Sequence, residues 1–459
     1  MSELKDRFKS PGKEYQCDVR WWLAEALHTD ETLIKEVNTL AEDGFGAVEF
    51  LAINELGADS SRYGWGSEEW VHDTEIIIRE VTKKGMGASF TSGTNWSNAN
   101  LPDTVHTPDD PSASKELDYT VETLGPGQHR SGPLLMSVPV KKSVVKKQIL
   151  VAIMAAKVVG EANGRTLLES PLILTPEVVD HELDWTAPTD GEYLLLAFWM
   201  HGTGQTATPS YRENYTVNYM DRYGADKVIE YWDSVVLTPA LREYIKKNNR
   251  VQMYMDSLEI AVTGKGGQLW GYHFLEEFHQ RRGYDLTPYL PYILRRTQVI
   301  AMGPMDYHYE MVDPTITQKI RNDLYQTQTD LYMYNMLKPL QDWLHSHNMT
   351  LRAEISYGLP FEISQPGKCV DGIETESLEF ASQIDSFRGL AGAAHIYDKV
   401  FSSETGATMM NHMCGLNFYN QIIYTQFAAG VTKTVLHGYS SICGSEKDTQ
   451  WPGHEGMWP

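Results

Sequence analysis

The stretch V-Q-M-Y-M-D-S-L-E-I, residues 251–260, decides how the rest of the chain is read. An apolar, strand-like run ends there in a carboxylate pair, Asp256 and Glu259, and further acid follows at residues 371–379 and at Glu404. A buried strand that stops at a glutamate suits a (β/α)8 barrel, because that scaffold gathers its reactive side chains at the C-terminal ends of different strands. Outward from this stretch, the upstream sequence alternates in the same way. A strand at 19–23 is followed by a helix whose Leu33, Val37, Leu40 and Ala41 share one face, with Thr29 and Asp30 as cap candidates and Gly44 as its stop. A second strand at 47–51 carries Glu49 within an apolar run, 68–84 is the next helix, and a third strand at 87–92 leads into T-S-G-T-N-W-S.

Between 119 and 222 the pattern changes to short β-rich runs at 134–140, 147–155, 167–174 and 192–199, separated by Gly, Pro, Asn and Asp. The reading is an inserted β-rich domain, which divides the chain into 1–118, 119–222 and 223–459. Alternation then resumes with a helix at 227–247, the strand at 251–256 and helical stretches at 274–282 and 315–345. Strands follow at 350–355, near Gly372, at 400–403 and at 434–437, which makes eight. The expected fold class is therefore α/β, a (β/α)8 TIM-type barrel with an inserted β-rich domain. An open doubly wound sheet would give a similar local pattern, but no Gly-rich phosphate fingerprint follows any strand. G-K-G-G at 264–267 lacks the required spacing. W-P-G-H-E-G-M-W-P closes the sequence soon after the eighth strand, where a complete barrel needs one more helix. The barrel is thus expected to be incomplete at its C-terminus.

The formal net charge of −22 leaves no basic footprint for nucleic acid or an anionic membrane. Apolar runs such as 149–156 and 193–200 are too short to cross a bilayer, and the chain opens on the polar M-S-E-L-K-D-R-F-K-S. The expected location is secreted if a leader has been removed, and cytoplasmic otherwise. Cys17, Cys369, Cys414 and Cys443 form no C-x-x-C pair, so buried thiols are expected rather than zinc ligands. N-x-[ST] sequons start at Asn95, Asn214 and Asn348.

Hydrolysis of a glycosidic bond takes one carboxylic acid to protonate the leaving oxygen and a second carboxylate to activate water or attack carbon. Acidic strand ends supply such groups. Glu259 is the acid candidate: it follows Val251, Met253 and Met255, and poorly hydrated surroundings would favour its protonated form. In D-G-I-E-T-E-S-L-E, residues 371–379, Glu374 and Glu376 lie closest to the strand end. Glu404 closes V-F-S-S-E by the same logic. Glu49, Asp256, Arg352 and Glu354 of L-R-A-E, His437 and the aromatic Trp96 are candidates for holding a sugar. Each also has an ordinary reading as a helix cap, a salt bridge or a satisfied core side chain. Neither G-x-S-x-G nor H-E-x-x-H occurs, which weakens serine-hydrolase and zincin readings.

Seven ordered blocks together resemble glycoside hydrolase family 106, the α-L-rhamnosidases. They are V-R-W-W-L from Val19, L-A-E-D-G-F-G-A-V-E-F from Leu40, S-G-T-N-W-S from Ser92, Y-M-D-S-L-E from Tyr254, F-H-Q-R-R-G-Y-D-L-T-P-Y-L-P from Phe278, A-A-H-I-Y-D-K-V-F-S-S-E from Ala393 and V-L-H-G-Y from Val435. The resemblance implies an inverting exo-hydrolase that removes terminal α-L-rhamnose from a rhamnose-containing glycoside or polysaccharide, with calcium (Ca2+) helping to hold the sugar hydroxyls. By motif, Glu259 matches the general acid, Glu374 the carboxylate that activates water, and Glu404 another essential glutamate. Where the family tends to have a proline before the first glutamate of the acidic cluster, this chain has Ile373, which leaves Glu374 and Glu376 both open for the water-activating role. Two other readings stand beside this one. A non-catalytic carbohydrate-binding or truncated, inactive homologue would leave the carboxylates scattered, and a glycosidase of different sugar specificity would keep the chemistry and change the pocket.

Overall fold

The computed structural model describes residues 2–441, apart from 54, 56–57, 94–100, 103, 207–214, 263, 297–304 and 408–414. Trp96, Cys414, Cys443 and the sequons at Asn95 and Asn214 lie outside the described residues. Eight parallel strands close into a barrel: β1 (Asp18–Ala24), β2 (Ala47–Ile53), β3 (Gly87–Thr91), β4 (Val251–Met255), β5 (Met349–Glu354), β6 (Gly372–Glu376), β7 (Val400–Thr405) and β8 (Lys433–Ser440). Each pairs with the next, and β8 returns to β1. The expected barrel is therefore present. The anticipated shortfall at its C-terminal end falls on 442–459, outside the described residues.

Strands such as β2 (A-V-E-F-L-A-I) and β4 (V-Q-M-Y-M) read as largely apolar runs because both of their faces are covered; every residue of β2 is buried. Helix Asp30–Glu42 packs Leu33, Val37 and Leu40 onto the wall, and its N-cap Thr29 accepts a hydrogen bond from the Thr32 N–H. Glu68–Lys83 does the same with Ile77 and Val81, capped by Ser67. The helix expected at 227–247 is broken into Arg222–Tyr231, a π-helical turn at Trp232–Val236 and Pro239–Asn248. Pro239 has no N–H to donate and its ring excludes helix in the residues before it, so a fresh start is made there under a Thr238 cap. Trp232 is thereby buried against Phe90, Trp65 and Trp343, with its indole N–H donating to the Ser92 carbonyl oxygen at 3.0 Å.

The β-rich unit is a sheet of order Gln268–Trp270, Lys115–Leu124, Tyr193–Gly202, Gln148–Ala162, Arg165–Leu168 and Tyr309–Met311. It starts at Lys115, slightly before the expected boundary, and two of its strands come from the later excursion between β4 and β5. Strand alternation gives it two faces. Ala152, Met154 and Ala156 join the core shared with the barrel, whereas Ile153 and Ala155 pack with Leu183, Leu195 and Trp199 in a core of the unit's own. Among the described residues, no helix is long and apolar enough to cross a membrane. Cys369 is buried as expected; Cys17 is exposed.

Candidate active site

The register of the barrel stacks charged residues on its inner face. Arg20 of β1 lies opposite Glu49 of β2 and His437 of β8, Glu354 of β5 opposite Glu374 of β6, and Glu376 of β6 opposite Glu404 of β7. Arg20 reaches Glu49 at 2.6 Å, Asp256 at 2.7 Å and Glu404 at 2.5 Å. Arg352 bridges Glu49 and Glu374, and the Ser402 hydroxyl donates to Glu374 as well. The Tyr254 ring lies 5.4 Å from one guanidinium and 4.3 Å from the other. Arg20 was not among the candidates read from sequence. Its signal was there in V-R-W-W-L, a cation at an inward position of an otherwise apolar strand.

Two guanidinium groups thus face six buried carboxylates: Glu49, Asp256, Glu354, Glu374, Glu376 and Glu404. Such an excess of like charge in a dry setting is relieved by protons or by a cation. Burial pushes Asp256 up to about 6 and Glu376 up to about 7, and it drives Glu354 and Glu404 well above the usual carboxylate range. Glu49 is buried too, but bonds from Arg20 and Arg352 bring it below its ordinary value. His437 adds no charge, because burial and then the nearby Arg20 lower its pKa to about 3. Its Nε2 stands 3.5 Å from Glu404 Oε1 and its ring meets Trp22 edge-on at 5.2 Å. Behind it the β1–β8 register skips Gly438, where a Cβ would lie only 1.8 Å from the Trp22 indole nitrogen.

The remaining candidates occupy distinct levels. Glu374 sits inside the barrel at 1% exposure, whereas Glu376, two residues nearer the C-terminal rim, is 7% exposed and receives a hydrogen bond from Tyr357. Glu259 is exposed, not in the poorly hydrated setting expected of it. The strand ends at Met255, and a tight turn, with the Glu259 N–H donating to the Ser257 carbonyl oxygen at 2.9 Å, carries the side chain out past the rim. The Ser257 hydroxyl donates to Glu259 Oε1 at 3.1 Å. The Glu259 charge lies close enough to Asp256, Glu376 and Tyr357 to help raise their pKa values, after burial as the main cause. Among the described residues, neither oxygen of Glu354, itself 1% exposed, has a hydrogen-bond partner, and both are buried. Oxygens of Asp256, Glu354 and Glu404 all lie within 4.8 Å of one another, a donor set for a hard cation. Glu379 was missed as a candidate although it closes the acidic cluster; burial raises it to about 8 despite a hydrogen bond from the Thr375 hydroxyl.

A ring of carboxylates with unlike ionisation, at the C-terminal mouth of a (β/α)8 barrel, is the architecture of a glycoside hydrolase. The chain belongs to glycoside hydrolase family 106, α-L-rhamnosidase, whose sequence profile matches residues 161–456. A protein of Formosa agariphila whose name provisionally assigns it as a β-glucuronidase is 20% identical, over 96% of this chain and 38% of its own length. Among solved structures, a rhamnosidase from Novosphingobium sp. PP1Y superposes with a TM-score of 0.65 at 15% identity, covering 95% of this chain and 56% of that one. The catalytic domain of a β-amylase from Paenibacillus polymyxa aligns with a TM-score of 0.44 at 8% identity, covering 97% of each chain. The chain therefore spans little more than half the length of the rhamnosidase it matches, and that match is one of fold.

Proposed function

We propose that this barrel hydrolyses terminal α-L-rhamnosides with inversion, Glu259 giving its proton to the leaving oxygen and Glu376 taking one from the attacking water. The acid role of Glu259 rests on its motif match to the family; the observation that carries the pairing is that Glu376, at the rim, lies close enough to feel the Glu259 charge, with burial pushing the Glu376 carboxyl up to about 7. A group with that pKa exchanges protons readily near neutrality. Water adds to the anomeric carbon as the bond to the leaving oxygen breaks, so the proton lost to Glu376 balances the one supplied by Glu259. Glu376 is preferred to Glu374 because Glu374 lies deeper in the barrel, with its Oε2 held by both Arg352 and Ser402, whereas Glu376 stands nearer the rim. Glu404, tied to Arg20 and beside His437, fits a role in holding the site together.

The calcium implied by the family resemblance would be held by Asp256, Glu354 and Glu404, and the two Glu354 oxygens, which have no hydrogen-bond partner among the described residues, are what a cation would satisfy. When bound, calcium supplies coordination positions for vicinal sugar hydroxyls. Arg20 holds Asp256 and Glu404 turned inward.

Glu376→Gln should lower kcat on an aryl α-L-rhamnoside by about 10²–10⁴-fold, as expected for loss of a general base. Glu374→Gln should retain most turnover, and the reverse ranking would move the water-activating role to Glu374. Proton NMR of the first-formed sugar should reveal the inverted anomer; retention would reject the two-carboxylate geometry proposed here. The name of the Formosa agariphila relative favours testing a second specificity. A panel with rhamnosides and glucuronides separates the two, and turnover of the glucuronide alone would reject the rhamnoside assignment.

A further inference from the structure

The G-K-G-G stretch at 264–267 binds no phosphate by its spacing, yet two of its glycines are pressed against the inserted sheet. A Cβ on Gly264 would lie 2.9 Å from Glu116 Oε2, and one on Gly266 would lie 2.1 Å from the Leu117 carbonyl oxygen. Glycine alone lets the backbone approach that closely. The Gly264 N–H donates to Glu116 Oε2 at 2.6 Å and the Lys265 N–H to Asp118 Oδ1 at 2.9 Å. Both acids are buried and flank His201, whose Nε2 is 3.3 Å from Asp118 and whose Nδ1 is 3.6 Å from Glu116. Nearer the mouth, just past the inserted strand Tyr193–Gly202, the Gln205 amide spans the same loop. Its Nε2 donates to the Glu259 carbonyl oxygen at 2.7 Å and its Oε1 accepts the Ala261 N–H at 2.8 Å.

We propose that Gln205 is a positioning residue for the Glu259 carboxyl, with Glu116 and Asp118 anchoring the far end of the same loop, so that the inserted sheet aims the proton donor. The inference rests on Glu259 being that donor. An exposed carboxylate on a loop beyond the strand end takes its direction from the backbone that carries it. Beside the Ser257 hydroxyl on Glu259 Oε1, the two-point amide bond from Gln205 to the Glu259 carbonyl and to the backbone two residues on fixes that loop. A misplacement of about 1 Å in a reacting group can cost on the order of 100-fold in rate.

Leaving-group dependence tests this. A poor leaving group needs the proton and an activated one does not, so Gln205→Ala should lower kcat on phenyl α-L-rhamnoside by about 10-fold or more and leave the 2,4-dinitrophenyl rhamnoside nearly unchanged. KM should hold for both. Hydrogen exchange in 256–262 should quicken in the same variant. Gln205→Glu, which keeps the acceptor for Ala261 and loses the donor to Glu259, should share the kinetic pattern. Equal losses on the two substrates, or none, would overturn the inference. Glu259→Gln serves as the control. If it shows the leaving-group pattern and Gln205→Ala does not, the inference falls alone; if Glu259→Gln behaves as wild type, the donor assignment falls and takes the inference with it.

Discussion

Glu374 and Glu376 stand two residues apart on β6 and face the same way, yet they differ in what surrounds them. Their place nearest a strand end made both legible as candidates, but depth along a barrel axis is a tertiary property that sequence spacing does not carry. The same limit applies to Glu259, whose apolar neighbours face other directions once the chain turns at Ser257. Arg20 was hidden for the opposite reason: one arginine in an apolar strand reads as an edge or an end until its acidic partners from distant strands are known. Removing it would take the guanidinium from Asp256 and Glu404 and leave Glu49 with Arg352 alone. Arg20→Met should therefore destabilise the fold by about 3–5 kcal/mol, read from urea unfolding, as for other broken buried ion pairs. A change under about 1 kcal/mol would mean that the three acids find protons or other partners at no great cost.

At the scale of elements, apolar runs marked strands such as β2 and β4, β6 showed only as a short stretch near Gly372, and the caps at Thr29 and Ser67 fall where Ser/Thr precedes an amphipathic period. Three-residue strands such as Gln268–Trp270 and Tyr309–Met311 carry no periodicity, so their membership in the inserted sheet was not legible. The sheet's buried His201 has a pH signature. Burial lowers its pKa, but the Asp118 hydrogen bond, the Glu116 charge and the Gly202 carbonyl outweigh that and leave it raised. The folded state therefore holds the proton to higher pH than the unfolded chain does. The resulting stability is fully present below the unfolded value of about 6.5 and is lost as pH rises through the folded value. In thermal melts, the gap between wild type and His201→Gln should be largest near pH 5.5, about 2 °C, and should shrink toward pH 9. A gap independent of pH would mean that His201 contributes packing alone.

For the whole molecule, the excess of buried carboxylates over the guanidinium groups of Arg20 and Arg352 makes the proposed calcium testable through stability. Calcium at about 100 times its dissociation constant should stabilise the chain by about 2.7 kcal/mol. The accompanying rise in Tm should be reversed by a chelator and largely absent in Glu354→Gln. A wild-type Tm indifferent to calcium would remove the metal from the proposed site.

The closing seam has a consequence for how the chain is made. Asp18 of β1 pairs with Val435 of β8, roughly 400 residues later, whereas its other neighbour, Ala47, follows within a few dozen. At synthesis rates of roughly 5–20 residues per second, the outer edge of β1 stays unpaired for about 20 s or more after it leaves the ribosome. An apolar strand edge exposed that long is open to chaperones and to strands of neighbouring nascent chains. Slow synthesis and crowded polysomes should thus limit the yield of this protein more than the final stability of its barrel does, and chaperone capture of nascent chains should cease only once β8 has emerged.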